Sequence, residues 1–438
     1  MNENMKPSGI SWIGDIPESW NVQPMKYKVT FHNGDRGDNY PSKSEMFSEG
    51  IPFVNAGHLT DKGLDLENMD YITDDKYNHM GGVKLKVNDI LYCLRGSVGK
   101  NTIISIDKGT VASSLVSIRA YNINPKFLFY YLNSDVEETQ RKLYDNGTAQ
   151  PNLSADNLGK YKITIPRSTE QMLIAEFLDE QFEKIDSIAT DIEKQIEILQ
   201  KYKKSLITET ITKGLDKSVP MKDSGIEWIG HIPEHWDVKK LKYVSKLKTG
   251  TTPSGNEGIN YNDEGLCWFT PGDFNPNMKL TSSEKYIDEQ AIKLENITVY
   301  PKNSVLLVAI GATVGKIGYT FEDSYSNQQI TAIIPNDILG EYLLYYISSN
   351  SEYIKENALY TTLPIINNSY LGSIYIVLPS ENEQILIAKH LDDKCTKIDS
   401  IIESKKEQLA KIAQHKKSLI YEYVTGKKRV KEAHGNGN

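Results

Sequence analysis

Residues 170–206 read EQMLIAEFLDEQFEKIDSIATDIEKQIEILQKYKKSL, and the fold turns on how this stretch is read. Leu178, Ile185, Ile192, Leu199 and Leu206 recur every seven residues, with Glu, Lys and Gln filling the intervals. An apolar period of seven on such a background marks a coiled-coil seam rather than an ordinary core helix. It predicts one helix from about Thr169 to Lys213. A second, from about Asn382 to Gly426, carries Leu391, Ile398, Ile412 and Leu419 on the same grid, with Lys405 interrupting it. Ile188 and Tyr202 are expected to widen the first stripe, and Ile401 and Ile402 the second. At 1.5 Å per residue each helix would run roughly 65 Å.

The two helices are copies. Glu170-Gln171 returns as Glu383-Gln384, Lys184-Ile185-Asp186 as Lys397-Ile398-Asp399, and Lys203-Lys204-Ser205 as Lys416-Lys417-Ser418, at a constant offset of 213. An unvarying offset means no insertion along the helix, so its length matters. The repeat also extends outside the helices. Ser8-Gly9-Ile10-Ser11-Trp12-Ile13-Gly14 returns as Ser224-Gly225-Ile226-Glu227-Trp228-Ile229-Gly230, and the second tryptophans, Trp20 and Trp236, keep the same spacing. These paired indoles are expected to pin the start of each globular half. Between the tryptophans and the helix, each half reads as short strands punctuated by Gly, Pro, Asn and Asp. In the first half these are 51–57, 89–94, 102–106 and 115–118. In the second they are 267–270, 305–310 and 330–334. A short helix follows in each (125–133 and 340–349), then a strand ending on Pro166 or Pro379. The fold class is α+β: two tandem α/β globules and two exported helices.

With 438 residues, 39% hydrophobic and 25% charged, the chain has the composition of a soluble globular protein. A net charge of −8 argues against a nucleic-acid binder that works through its overall field, so any such binding must come from local basic faces. Cys93, Cys267 and Cys395 are far apart and form no CxxC, which fits a reducing cytoplasm and no zinc or disulfide framework. No stretch reads as a membrane span.

Two motifs invite catalytic readings, and both fail. His231-Ile232-Pro233-Glu234-His235 has the H-x-x-E-H form of some zinc peptidases, but Pro233 would break the helix that form requires. Gly311-Ala312-Thr313-Val314-Gly315-Lys316 has three residues between its glycines, where a phosphate loop has four, and lacks the following Ser or Thr. Its copy, Arg95 to Lys100, keeps the Gly-Lys, and a lysine on such a turn suits a DNA phosphate. No catalytic set and no metal ligands emerge. What remains are polar loops suited to base edges, since Asn and Gln match adenine and Arg and Lys match guanine. Arg36, Lys43, Asn55, His58, Arg95, Lys100, Gln150 and Asn152 are the candidates in the first half. Thr252, Ser254, Asn256, Lys316, Asn327, Gln328, Gln329 and Asn367 are those in the second.

Taken together, the Ser-Gly-Ile-x-Trp-Ile-Gly-x-Ile-Pro-x-x-Trp openings, the Glu-Gln-x-x-Ile-Ala helix starts, Lys-Ile-Asp-Ser-Ile, Lys-Lys-Ser-Leu-Ile, Lys248 to Ser254, Thr270-Pro271-Gly272-Asp273 and Gly147 to Leu153 resemble the specificity subunits of type I restriction-modification systems. The likeness covers nearly the whole chain. It implies two target-recognition domains, residues 1–167 and 216–380, each reading half of a split, asymmetric duplex DNA site. It implies that helices 168–215 and 381–426 pair as an antiparallel coiled-coil ruler, with 427–438 a flexible tail. Two methyltransferase subunits would dock on this scaffold and methylate adenine N6 with S-adenosylmethionine, joined by restriction subunits that use ATP and Mg²⁺. The chain itself would bind no cofactor and catalyse nothing. Asn33-Gly34-Asp35-Arg36-Gly37-Asp38 departs from the Gly-Thr-x-Pro-Ser form of the second half, so the halves should read different bases. A rival reading is a coiled-coil adaptor that does not read DNA, and another is an enzyme with a hidden nuclease or methyltransferase site.

Overall fold

The structure, a computed structural model, describes residues 4–144, 152–252, 265–287, 292, 297–356, 359–360 and 364–430. By contacts the chain divides into two compact units, residues 1–192 with 407–438, and residues 193–406. Each long helix is continuous, Ser168–Lys213 and Glu381–Val424, and gives its first part to one unit and its last part to the other.

In the first unit, strand Asn21–Pro24 pairs antiparallel with Lys162–Ile165, so the strand after the tryptophan motif meets the strand before the helix. A four-stranded antiparallel sheet runs in the order Asn101–Ile103, Ile90–Cys93, Leu115–Ala120, Val29–Asn33. A three-stranded sheet places Ile51–Val54 between Thr110–Val111 and Asp70–Ile72. The second unit repeats the plan. Asp237–Lys240 pairs with Tyr375–Leu378, and its larger sheet runs Ser245–Thr249, Ile330–Pro335, Val305–Val308, Ile317–Thr320, Lys279–Leu280. The expected short helices form at Pro125–Leu132 and Gly340–Ser349. The helix Asp135–Tyr144 lacks an apolar repeat strong enough to announce itself.

The duplicated motifs acquire physical roles here. Trp20 and Trp236 are fully buried, and their indole Nε1 groups donate to Glu170 (2.8 Å) and Glu383 (3.0 Å), in the first turn of the long helices. The next residue secures the backbone on both sides. Gln171 accepts from the Asn124 amide at 2.7 Å and donates to the Pro166 carbonyl at 2.9 Å, while Gln384 does the same with Leu339 and Pro379 at 2.8 and 3.0 Å. Only the second tryptophan of each motif is a core anchor, because Trp12 and Trp228 stay half-buried. Each anchor also receives the end of the other long helix. Gly426, past the end of the second helix, lies against Pro17 and Trp20, and Gly214 lies against Trp236. Both glycines have φ +74°, where a Cβ is disfavoured, and one would also press on the indole.

Within each unit the two helix segments run antiparallel. Lys416 pairs with Asp186 and Phe177 packs on Tyr423 in the first, while Lys203 reaches both oxygens of Asp399 at 2.7 Å in the second. These two ion pairs are repeat copies of each other, so Lys-Ile-Asp and Lys-Lys-Ser are the two sides of one contact. Leu178, Ile192, Leu391, Ile398 and Leu419 are buried; Ile185, Leu199, Leu206 and Ile412 are partly buried. The widening of the stripe differs from expectation, since Ile188, Tyr202 and Ile401 are about half exposed. The seam steps four residues, not three, beyond Ile185, Leu199 and Ile398. Ala189, Lys203 and Ile402 therefore turn inward, and a residue one position earlier is rotated about 100° away. Lys405, which interrupts the apolar grid, is satisfied by donating to Gln195.

Glu383 gives a pH-dependent consequence. Burial pushes its carboxyl up, but bonds from Ser380, Trp236 and His235 outweigh that and hold it down at about 2. A folded value below the unfolded one stabilises above the ordinary carboxylate range, and the contribution is lost as pH falls from about 4.5 toward 2. The protection of amides in residues 193–406, relative to their intrinsic exchange rates, is expected to fall over that window. Glu383→Gln should flatten the dependence; an unaltered profile would contradict this role.

Candidate nucleic-acid interface

Among the described residues, Arg36, Arg95, Lys100, Thr252 and Lys316 lie on loops next to strands of the larger sheet in their unit. In the first unit, the loop after Val29–Asn33 meets the turn between Val111 and Leu115. Gly34 makes the approach possible, since a Cβ there would lie 2.5 Å from the Val111 carbonyl oxygen. Asp35 then fixes the loop. Its carboxylate accepts from the amides of Gly37 at 2.7 Å and Gly81 at 2.8 Å, which hold it below the usual carboxylate range. Arg36 projects from this braced loop, exposed, with one Nη2 bond of 3.4 Å to the Ser113 carbonyl. Arg95 is exposed at the head of the next turn, and its backbone bridges to Asn152. Arg36, Arg95 and Asn152 thus line one hollow of about 310 Å³ with Leu94, Leu153 and Asp156.

The second unit builds the same frame with other side chains. A Cβ on Gly250 would lie 2.1 Å from the Asn327 carbonyl oxygen, and the Thr251 amide donates to the Ser326 carbonyl at 2.9 Å. Thr252 donates its hydroxyl to the side chain of Gln328. Asn327 and Gln329 bond each other, through their amides at 2.9 Å and through the Gln329 backbone at 3.1 Å. Lys316 is exposed at the end of the glycine turn, which runs from strand to strand as a hairpin connection with Gly311 and Gly315 at positive φ.

Other candidates are engaged in holding loops. Asn55 caps the turn Ala56–His58 by accepting from the Gly57 amide at 2.8 Å, and it donates to Asp70 at 3.0 Å. His58 is buried and accepts from the Asn55 amide at 3.2 Å. Lys100 donates to the Ala56 carbonyl at 3.0 Å, and Asn367 caps the helix Asn368–Ser373. Lys43 is exposed and opens a short turn, Lys43–Glu45. Gln150, Ser254 and Asn256 lie outside the described residues. Sequence reasoning missed Asn33 and Asp156, which share the hollow with the arginines. Asp156 stands in the first turn of a short helix capped by Ser154, a local signal that points to a helix start and not to a site. His231-x-x-Glu234-His235 is a strand and turn, with His235 bonded to Glu383 at 2.8 Å.

The sequence pattern of the type I restriction modification DNA specificity domain matches this chain twice, over residues 29–198 and 233–414, which takes in both globules and most of both helices. The chain belongs to that family. Among relatives of this DNA specificity family, the type I restriction enzyme MjaVIII specificity subunit of Methanocaldococcus jannaschii is 26% identical, across 95% of this chain and 94% of its own. The EcoKI specificity subunit of Escherichia coli K12 is 20% identical, across 94% and 90%. A solved chain described under complex assembly and conformational transition of the type I restriction-modification system superposes with a TM-score of 0.72 at 16% identity, covering 93% of this chain and 98% of that one. At that identity the likeness shows a shared fold. A specificity subunit's work is sequence recognition on DNA. Among the described residues, no helix is long and apolar enough to cross a membrane.

Proposed function

We propose that this specificity subunit reads a bipartite duplex site, with residues 1–167 serving one half-site and 216–380 the other. One observation carries the reading. In both heads a glycine, Gly34 or Gly250, lets one loop close on the other, and the turns 111–114 and 326–329 are held by matching backbone hydrogen bonds, yet the loops present different polar side chains. A fixed frame with exchangeable side chains suits two heads that read different bases. Arg36, Arg95, Lys43 and Lys100 would supply guanine and phosphate contacts in one head, and Gln150 and Asn152 would contact bases there too. Thr252, Ser254, Asn256, Lys316 and Asn327 to Gln329 would act in the other. The chain catalyses nothing and holds no cofactor. Methyltransferase subunits bring S-adenosylmethionine and methylate adenine N6, and restriction subunits bring ATP and Mg²⁺, in the cytoplasm. The acidic net charge of −8 fits a subunit whose phosphate attraction is shared with those partners.

Exchange of residues 30–160 for those of a relative of different specificity tests this. The sequence selected by the assembled complex should change in one half-site and keep the other. A selected site that is unchanged, as a pure adaptor would give, overturns the reading.

A further inference from the structure

The two heads can be aligned residue by residue through their backbone hydrogen bonds, without reference to sequence. The Leu94 amide donates to the Ser114 carbonyl at 2.8 Å, and the Ala309 amide to the Gln329 carbonyl at 2.7 Å. The Leu115 amide donates to Ala112 at 3.0 Å, and Ile330 to Asn327 at 3.2 Å. The Ala112 amide donates to Val54 at 2.8 Å, and Asn327 to Phe269 at 3.2 Å. Ser113 therefore corresponds to Gln328. On the facing strand, Asn33 pairs with Val116 as Thr249 pairs with Thr331, which makes Arg36 the counterpart of Thr252.

These two positions touch in both heads. In the first, the Arg36 guanidinium donates to the Ser113 carbonyl at 3.4 Å; in the second, the Thr252 hydroxyl donates to the Gln328 side-chain oxygen. The long side chain comes from one loop in the first head and from the facing loop in the second. We propose that Arg36 and Gln328, which come from opposite sides of the same loop contact, are the base-reading residues of the two heads, Arg36 taking guanine in one half-site and Gln328 taking adenine in the other. This rests on the reading of the chain as a bipartite DNA reader.

The chemistry follows from what each contact leaves over. A guanidinium has five N–H donors, and one bond to Ser113 leaves a fork matched to guanine O6 and N7. A glutamine oxygen has two lone pairs. With one given to Thr252, the other and the amide N–H match adenine N6 and N7. Both readers are exposed, and both stand on braced backbone. Asp35 ties the Arg36 loop to Gly81, and the Asn327–Gln329 bonds close the turn around Gln328. Those bonds also occupy Asn327 and Gln329 with each other, which singles out Gln328 among the three amides. Thr252 is a positioning residue that orients the glutamine.

The test is selection of duplexes from a randomised library by the full chain assembled with the modification subunits of its own system. The wild type is expected to enrich a split sequence. R36K keeps the charge but loses the fork, and should reduce preference at one G·C pair by about 10- to 100-fold. Q328A should do the same at one A·T pair of the other half-site. T252V should weaken that A·T preference less than Q328A does, and Thr252→Ser should restore it. The proposal is overturned if R36K leaves every base preference intact, or relaxes an A·T pair. It is overturned equally if Arg36→Ala weakens all sequences alike with a shallower salt dependence, the mark of a phosphate contact. Failure of the wild type to enrich any split sequence would instead sink the DNA reading itself, which separates the two failures.

Discussion

Replacing Trp236 by alanine is expected to cost the second unit about 3–5 kcal/mol, the range for truncating a buried large aromatic side chain. The effect should be at the upper end, for three reasons that the structure supplies. Trp236 is 1% exposed and belongs to the core that also holds Ile211, Tyr342 and Leu391, so its cavity opens among side chains from three separate stretches of chain. Its indole N–H is one of the groups that keep Glu383 ionised. Its ring is also the surface on which Gly214 ends the first long helix. Trp236→Phe keeps most of the apolar surface and loses the N–H donor, and is expected to cost about 1–3 kcal/mol. Hydrogen exchange on the full chain is the appropriate measurement, because a chain of two units need not unfold in a single transition. Protection should fall across residues 193–406 in W236A, and across 4–192 with 407–430 in Trp20→Ala. Unchanged protection in the unit that contains the substitution would refute the anchoring role.

How much of this was legible beforehand depends on the kind of signal. The helices were readable to within one or two residues, because a heptad repeat and its copy carry their own ruler: Ser168–Lys213 and Glu381–Val424 against the expected 169–213 and 382–426. The inward turn of Ala189 over Ile188 was not, since hydropathy favours the isoleucine and only the partner helix decides between a three- and a four-residue step. The helix ion pairs were visible as repeated motifs without a reason, because the partner of Lys203 lies 196 positions away at Asp399. The candidate site was legible as residue types on loops. It was not legible as a correspondence between heads, because the offset drifts. Trp20 matches Trp236 at 216, Ser113 matches Gln328 at 215, and Glu170 matches Glu383 at 213. Arg36 and Thr252 keep the 216 of the tryptophan motif, but the length change beyond them hides the Ser113–Gln328 equivalence from a fixed-offset reading, and the hydrogen bonds restore it. Asn55 and His58 show the reverse problem. Their types suit base reading, but a cap to Gly57 and a bond to Asp70 already employ them, and caps of that kind depend on a turn the sequence does not announce.

Gln384→Leu is expected to destabilise the second unit by about 2–4 kcal/mol, although it swaps one buried side chain for another of similar size. The reason is the backbone it abandons. Gln384 is 4% exposed; its oxygen holds the Leu339 amide at the start of helix Gly340–Ser349, and its nitrogen holds the Pro379 carbonyl just before the long helix. The Leu339 amide stands at a helix N-terminus, where no intrahelical acceptor exists. Leucine would therefore orphan one donor and one acceptor, each costing about 1–3 kcal/mol when water cannot replace the lost partner. A protonated Glu at the same position keeps the acceptor and offers one O–H donor, so Gln384→Glu below the carboxylate range of pH should lie much closer to the wild type than leucine does. Gln171→Leu makes the same prediction for the first unit, through Asn124 and Pro166. Urea unfolding followed by exchange at the amides of residues 339–345 gives the measure. If the leucine variant were as stable as wild type, the amide would be a passenger at the helix start, and the Glu-Gln repeat would owe its presence to Glu383 and Glu170 alone.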